Sequence, residues 1–454
     1  MLVQRFQSIL TLLLYCQTTQ AKALVPKVDL KNGSYHGLHD VEYNQDFFLG
    51  VLFAQPPVGN LRLQLPQSLN STWTGSRNAT QYGHACYGPA GIVQKQRLPV
   101  VVWIYGGGWF EGTSLDSCYN LSDLVQESVS MGKPIIGVSI NYRLSGWGFL
   151  YSREIVDAGL ANLDPKTVTI WGESSGAVSV GNHLLAYNGR DDHLFSRAIA
   201  QSGPAFGVGL VNPTIDRAEQ VYQNLTAATN CSSVADRLAC LRTVPTEVFN
   251  RILNDSGDTE DYYMVYYGPL VDGDIISRDA VDQLKDGAFV RVPYIIGDNS
   301  DEGSDFGPFG LNSDADVATY LQGYNLSTEV INNLLQLYPQ NSTELVLAAH
   351  PGQFNTTIGT HFKQSSTILT DIILKAPRRL TAKYWTQHAA CNNTLGDVSS
   401  SAPLYTYRFN TVPNGVPDFL GVTHFTEVAF VFHNTRGRGY PNIDPPYFGA
   451  DPFA

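Results

Sequence analysis

The chain is short of positive charge. Lysine and arginine number 29 against 41 acidic residues, a net charge of −12, and the pI is near 5.2. That deficit excludes the broad basic surface with which proteins hold nucleic acid or anionic membranes. Cysteine is scarce too, with 6 in 454 residues. None lies in a C-x-x-C pair and no H-E-x-x-H occurs, so the common signatures of a zinc site are missing and neither metal nor cofactor is expected. Long apolar runs are missing as well. The run ILTLLLY at 9–15 falls short of the ~20 residues that span a bilayer. No second long apolar segment follows, so no transmembrane segment is expected. Internal repeats, low-complexity tracts and interdomain linkers are also lacking; the stretches at 307–316 and 399–401 read as surface loops.

What is present is enough for a large buried core. Apolar residues make up 43% of the chain and charged residues only 15%, which fits one large catalytic domain. Arg5, the apolar run and Ala21-Lys22-Ala23 form the pattern of a secretory signal at 1–23. The mature domain would then occupy 24–454 and be secreted, extracellular. N-x-S/T sequons at Asn32, Asn70, Asn78, Asn120, Asn224, Asn230, Asn254, Asn325, Asn341, Asn355 and Asn392 predict a glycosylated exterior. Cys16 leaves with the signal. Cys231 and Cys240, close in sequence around a short polar segment, are the expected disulfide. Cys86, Cys118 and Cys391 are left without an assigned role.

Six β-rich runs punctuate the chain: LPVVVWIY at 98–105, PIIGVSINYR at 134–143, TVTIW at 167–171, RAIAQS at 197–202, VPYIIG at 292–297 and LYTYRFN at 404–410. Helical stretches separate them, so the sheet should be mostly parallel. The third run ends in Gly172-Glu173-Ser174-Ser175-Gly176. The segment after it, 175–187, has apolar residues at helical spacing. A strand, G-x-S-x-G and a helix together make a nucleophile elbow, the signature of the α/β-hydrolase fold, with Ser174 as nucleophile. The first run ends in Gly106-Gly107-Gly108. Glycines there let backbone N–H groups approach a developing oxyanion, and the amides of Gly107, Gly108 and Ser175 would supply the donors.

An acid and a base should follow in chain order. After the fifth run the sequence reads G-D-N-S-D-E-G-S-D, and spacing leaves Asp298, Asp301, Glu302 and Asp305 all open. Five histidines come later: His350, His361, His388, His424 and His433. His424 stands in a loop after the last strand, where a general base belongs.

The segments FLGVLFAQPPVGNLRL (48–63), VVVWIYGGGWFEG (100–112), VSINYRLSGWGFL (138–150), TVTIWGESSGAVSV (167–180), IIGDNSDEGS (295–304) and LGVTHFTEVAFVF (420–432) resemble the type-B carboxylesterase/lipase family. This is the cholinesterase-like group of α/β-hydrolases, and the chain resembles especially its secreted fungal members. The resemblance implies a catalytic triad of Ser174, Glu302 and His424, with the oxyanion hole at Gly107, Gly108 and Ser175. It implies a serine hydrolase of carboxylic esters, acting on a small-molecule or lipid ester; the stretch following Cys86, where lipases of the family carry their lid, is short here, so a simple ester of modest size is expected. The family usually has alanine at the position of Ser175; serine keeps the amide.

The chain departs from the family pattern in three places. It is short between Cys86 and Leu98, which takes away the disulfide partner of Cys86 and a glutamate facing Arg62. It passes directly from Asn162-Leu163 to Asp164-Pro165, where the family has a long amphipathic helix carrying an aspartate for Arg143. It ends soon after His424, so the domain is expected to be incomplete at the C-terminus. A truncated or mis-spliced relative without activity, or a binding module of the same fold, is the competing expectation.

Overall fold

The structure is a computed structural model that describes residues 25–64, 66–82, 98–149, 168–204, 215–254, 268–324, 326–340, 354–390, 402–413, 416–434 and 437–440. The signal segment, Cys16, Cys86, Cys391, His350, the sequons at Asn325, Asn341 and Asn392, and the shortened stretches following Cys86 and preceding Lys166 lie outside the described residues.

The N-terminal part is a small β unit. Strands β1 (Lys27–Leu30) and β2 (Gly33–His36) form a hairpin across a turn at Lys31-Asn32, and β5 (Ser76–Asn78) runs parallel to β2. Beside it, β3 (Leu38–Asp40) pairs with β4 (Gln45–Phe47). Val28, Tyr35, Phe48, Val51 and Ala79 make its core.

The main body is a 6-stranded sheet in the order β11-β10-β9-β8-β6-β7. Its strands are β6 (Val100–Ile104), β7 (Ile136–Ile140), β8 (Val168–Glu173), β9 (Arg197–Gln201), β10 (Tyr294–Asn299) and β11 (Leu404–Phe409). Every neighbouring pair is parallel. Each of the six β-rich runs of the sequence holds one of these strands; β8 and β10 continue past their runs to Glu173 and Asn299, and the other four are trimmed at one or both ends. Chain order reverses at β6: the next strand, β7, lies on one side of it and β8 on the other. In a parallel sheet the carboxyl ends of the two strands flanking such a reversal form a crevice. Here those ends carry Gly106-Gly107-Gly108 and Ser174.

Alternation along the strands divides the core into two faces. Ile104, Ile170, Ala198, Ala200 and Ile296 pack against Ala177, Val180, Leu184 and Leu185 of the helix Ser175–Gly189. Trp103, Tyr105 and Trp171 face the other way, onto Tyr119, Val428 and Phe432. The Trp103 ring lies 4.5 Å from Trp171 and 4.8 Å from Phe432, and each such aromatic pair contributes about 0.5–1.5 kcal/mol beyond its buried area. The helix keeps helical geometry to Leu185 and breaks at Ala186, Tyr187 and Asn188.

Cys231 and Cys240 are joined in a disulfide inside a separate cluster with Leu225, Leu238, Leu241 and Phe249. Arg62 lies over the rings of Trp147 and Phe249, 4.5 and 4.9 Å from their centroids, and donates to the carbonyl of Val244. Among the described residues no helix is long and apolar enough to cross a membrane.

Candidate active site

Ser174 sits between β8 and the helix with φ 54° and ψ −126°. A non-glycine residue held there stores about 1–3 kcal/mol of backbone strain. Its N–H donates to Gln201 O at 2.9 Å and its carbonyl accepts from Val178 N at 3.0 Å, so the turn is fixed on both sides. The flanking glycines have a steric reason. A Cβ on Gly172 would lie 2.4 Å from the Gly176 carbonyl carbon, and one on Gly176 would lie 2.0 Å from Ile104 O. No side chain fits where the helix crosses so close to β6 and β8.

The glycine loop bends over this elbow. A Cβ on Gly106 would lie 2.7 Å from Glu173 Oε2 and 2.8 Å from Ser174 Cβ. Gly107 and Gly108 have φ +99° and +59°, which only glycine adopts freely. Two hydroxyl and indole contacts pin the loop: Tyr142 OH donates to Tyr105 O at 3.0 Å, and Trp109 Nε1 donates to Ser179 Oγ at 3.2 Å. Ser175 is fully buried and heads the helix, where backbone N–H groups have no carbonyl one turn back to receive them.

Of the four candidate acids, Glu302 alone touches an imidazole among the described residues. Its Oε2 lies 2.6 Å from His424 Nδ1, and its Oε1 accepts from Asn299 N at 2.6 Å. The others have different work. Asp298 pairs with Arg378 Nε at 2.7 Å. Asp301 Oδ2 accepts from Val422 N at 2.8 Å, fastening the acid loop to the histidine loop. Asp305 is exposed. Among the histidines, His361 bonds Thr360 Oγ1 and His388 bonds Lys285 O, both away from the elbow.

The second nitrogen of His424, Nε2, lies 3.2 Å from Glu173 Oε1. No hydrogen bond joins it to Ser174 Oγ. Glu173, the variable residue of the elbow motif, was not singled out by sequence. Its signal was a charged residue ending a buried strand. Burial pushes its carboxyl well above the usual range, with the Glu427 and Glu302 charges adding to the rise and His424 opposing it. Burial would lower the pKa of His424, but the Glu173 and Glu302 carboxylates on either side of the ring raise it to about 10. The Glu173 carboxylate and the His424 imidazolium therefore favour each other's charged form across 3.2 Å, without a hydrogen bond between them. The Phe306 ring, 4.8 Å from the imidazole, walls the site. Among the described residues no group of three or more His, Cys, Asp or Glu could hold a metal ion.

The model of the carboxylesterase family matches residues 25–97, 87–158 and 162–445. Secreted lipase 1 of Botryotinia fuckeliana is 29% identical, over 94% of this chain and 84% of its own length. Lipase 2 of Geotrichum candidum is 30% identical, over 87% of this chain and 82% of its own length. Among solved structures, that of Aspergillus niger EstA superposes with a TM-score of 0.75 at 25% identity, covering 93% of this chain and 84% of that one. Matched along most of its length, the chain belongs to the carboxylesterase family and is a carboxylic ester hydrolase.

Proposed function

We propose that the protein is a secreted serine hydrolase that cleaves carboxylic esters through an acyl-enzyme on Ser174, with Glu302 as the acid and His424 as the base. The observation that carries this reading is the 2.6 Å contact between Glu302 and His424, formed beside the strained serine by side chains 122 positions apart.

The chemistry follows from those positions. Glu302 accepts from Nδ1–H, and once the ring has shed its second proton Nε2 is the basic nitrogen. A rotation of the ring takes Nε2 from Glu173 to Ser174 Oγ. Nε2 removes the hydroxyl proton as Oγ attacks the ester carbonyl. The carbonyl oxygen becomes an oxyanion held by the amides of Gly107, Gly108 and Ser175, where each well-placed donor is worth about 10²–10³ in rate. Collapse breaks the bond to the alcohol oxygen, which leaves with the proton from Nε2. Water, deprotonated by the same nitrogen, then attacks the acyl-enzyme; the acid departs and Oγ recovers its proton.

Residues 24–454 act as one catalytic domain after loss of the leader at 1–23. The name of the Botryotinia relative, a secreted lipase, supports export and an ester substrate. Asn70, Asn78, Asn224, Asn230 and Asn355 are exposed and are the positions for glycans. Asn32 instead gives its amide to the carbonyls of Leu69 and Ser71. The substrate is a small-molecule or lipid ester of modest size.

Labelling with a fluorophosphonate tests the nucleophile. The wild-type protein should take the label and Ser174→Ala should not. A panel of p-nitrophenyl esters of increasing chain length should show turnover falling beyond the short and medium acyl chains. A well-folded wild-type protein that takes no label and hydrolyses no ester would return the binding-module reading.

A further inference from the structure

Behind the reacting groups lies a set of buried polar side chains that the mechanism does not use. Asn299, at the carboxyl end of β10, is fully buried and Glu427 is 1% exposed. Three acceptors converge on Asn299 Nδ2: Thr423 O at 2.8 Å, Glu427 Oε2 at 2.7 Å and Thr426 Oγ1 at 3.4 Å. That convergence fixes which end of the carboxamide is the NH₂ group. The backbone N–H of the same residue donates to Glu302 Oε1 at 2.6 Å. Asn299 therefore touches the carboxylate of the acid and the carbonyl of Thr423, the residue preceding His424. Other contacts between these loops, from Asp301 to Val422 and from Ser304 Oγ to Leu420 O and Thr423 Oγ1, do not reach the carboxylate that orients the ring.

Glu427 extends the set to the nucleophile strand. Its Oε1 accepts from Gln201 Nε2 at 2.9 Å. Gln201 Oε1 in turn accepts from Trp171 Nε1 of β8, and Gln201 O receives the N–H of Ser174 at 2.9 Å. One continuous chain of hydrogen bonds thus runs across the ends of β8, β9 and β10. It holds a carboxylate where no water reaches, an arrangement that is costly unless every contact is kept.

We propose that Asn299, anchored by the buried carboxylate of Glu427, is the positioning residue of this site: it sets the distance between Glu302 and His424 and ties both to the turn that bears Ser174. Neither residue touches the substrate. The inference rests on the functional reading given above, because it takes Glu302 and His424 as the acid and base.

The test compares Asn299→Ala, which keeps the backbone N–H to Glu302 but loses the carboxamide, with Glu427→Gln, which keeps volume but loses the charge. Active sites are first counted by fluorophosphonate titration, so that unfolded protein drops out of the rate. Loss of alignment by a fraction of an ångström to an ångström should lower kcat per titrated site by about tenfold to a hundredfold, with KM nearly unchanged. The acid limb of kcat/KM should move to lower pH, because an imidazole less firmly paired with Glu302 loses its proton more readily. If Asn299→Ala does not fold, Glu427→Gln carries the same expectations. Unchanged kcat per titrated site in the folded variants overturns the proposal while leaving Ser174 chemistry standing. A wild-type enzyme whose label survives Ser174→Ala overturns both.

Discussion

Strand β10 changes character within its own length. Tyr294 and Ile296, in its body, are packed against Trp385 and the helix that follows the elbow. Asp298 and Asn299, at its end, are as deeply buried, at 1% and 0% exposure, yet polar. Its neighbours do the same. Strand β8 passes from Ile170 and Trp171 to Glu173, and β9 from Ala198 and Ala200 to Gln201 and Ser202. The body gains stability simply by leaving water, at about 25 cal/mol per Å² of apolar surface. The edge gains nothing that way. Each buried amide or carboxylate there must recover in hydrogen bonds what it lost in hydration, and breaking one contact leaves its partner stranded. The body should therefore tolerate change at the cost of stability, and the edge should yield activity before it yields the fold.

The sharpest way to break that contrast is Ser174→Ala. It removes only the hydroxyl from the edge. Turnover of a p-nitrophenyl ester should fall by at least about a thousandfold, while the thermal transition stays close to wild type. Leu184→Ala makes the opposite change. The side chain is 2% exposed in the aliphatic face, and truncation should cost about 2–5 kcal/mol in denaturant unfolding. The kcat per titrated site should hold. A large loss of kcat per site in Leu184→Ala would show that the body of the sheet also sets the geometry of the edge.

The disulfide offers a milder test. Cys231 and Cys240 close a loop with a sequence separation of 9, and a loop that short restricts the unfolded chain by about 2–3 kcal/mol. Their cluster is built on Leu225, Leu238, Leu241 and Phe249 and shares no residue with the edge network. The double variant Cys231→Ala, Cys240→Ala should unfold earlier and keep its activity per site. Activity that vanished without unfolding would tie this cluster to the crevice.

The same division explains how much of the molecule could be read from sequence. The body was legible because its signals are local: β-rich runs mark β6 to β11, and the helix after Ser174 shows its own period. The elbow and glycine loop were legible because each is a short local motif, even though the clash that demands glycine at 176 is with the distant Ile104. The acid was not. Asp298, Asp301, Glu302 and Asp305 are equivalent by spacing, and only long-range contacts with Arg378, Val422 and His424 tell them apart. Asn299 and Glu427 stand inside the segments 295–304 and 420–432 but drew no role there, because the contact between them spans 128 positions. Family resemblance pointed to Glu302 and His424, whereas the side chains behind them had to be found in space.

Glu173 gives the finest test, because it sits on the edge and touches the imidazole without being part of the proposed triad. Its carboxylate is one reason the pKa of His424 is raised to about 10. A folded pKa above the ordinary value of about 6.5 for an unfolded chain means that the paired charge adds stability below that value and loses it as pH rises through the folded one. Burial raises Glu173 too, so its ionisation also works against the fold as pH rises. Glu173→Gln removes both effects. The melting temperature of the variant should fall less steeply than that of the wild type between neutral pH and about 10. The acid limb of its kcat/KM profile should move to lower pH, because the imidazole surrenders its proton without a second carboxylate beside Nε2. A limb that stayed in place or moved up would mean that Glu173 carries its own proton throughout, and that Glu302, with the Asp305 charge, sets the basicity of His424.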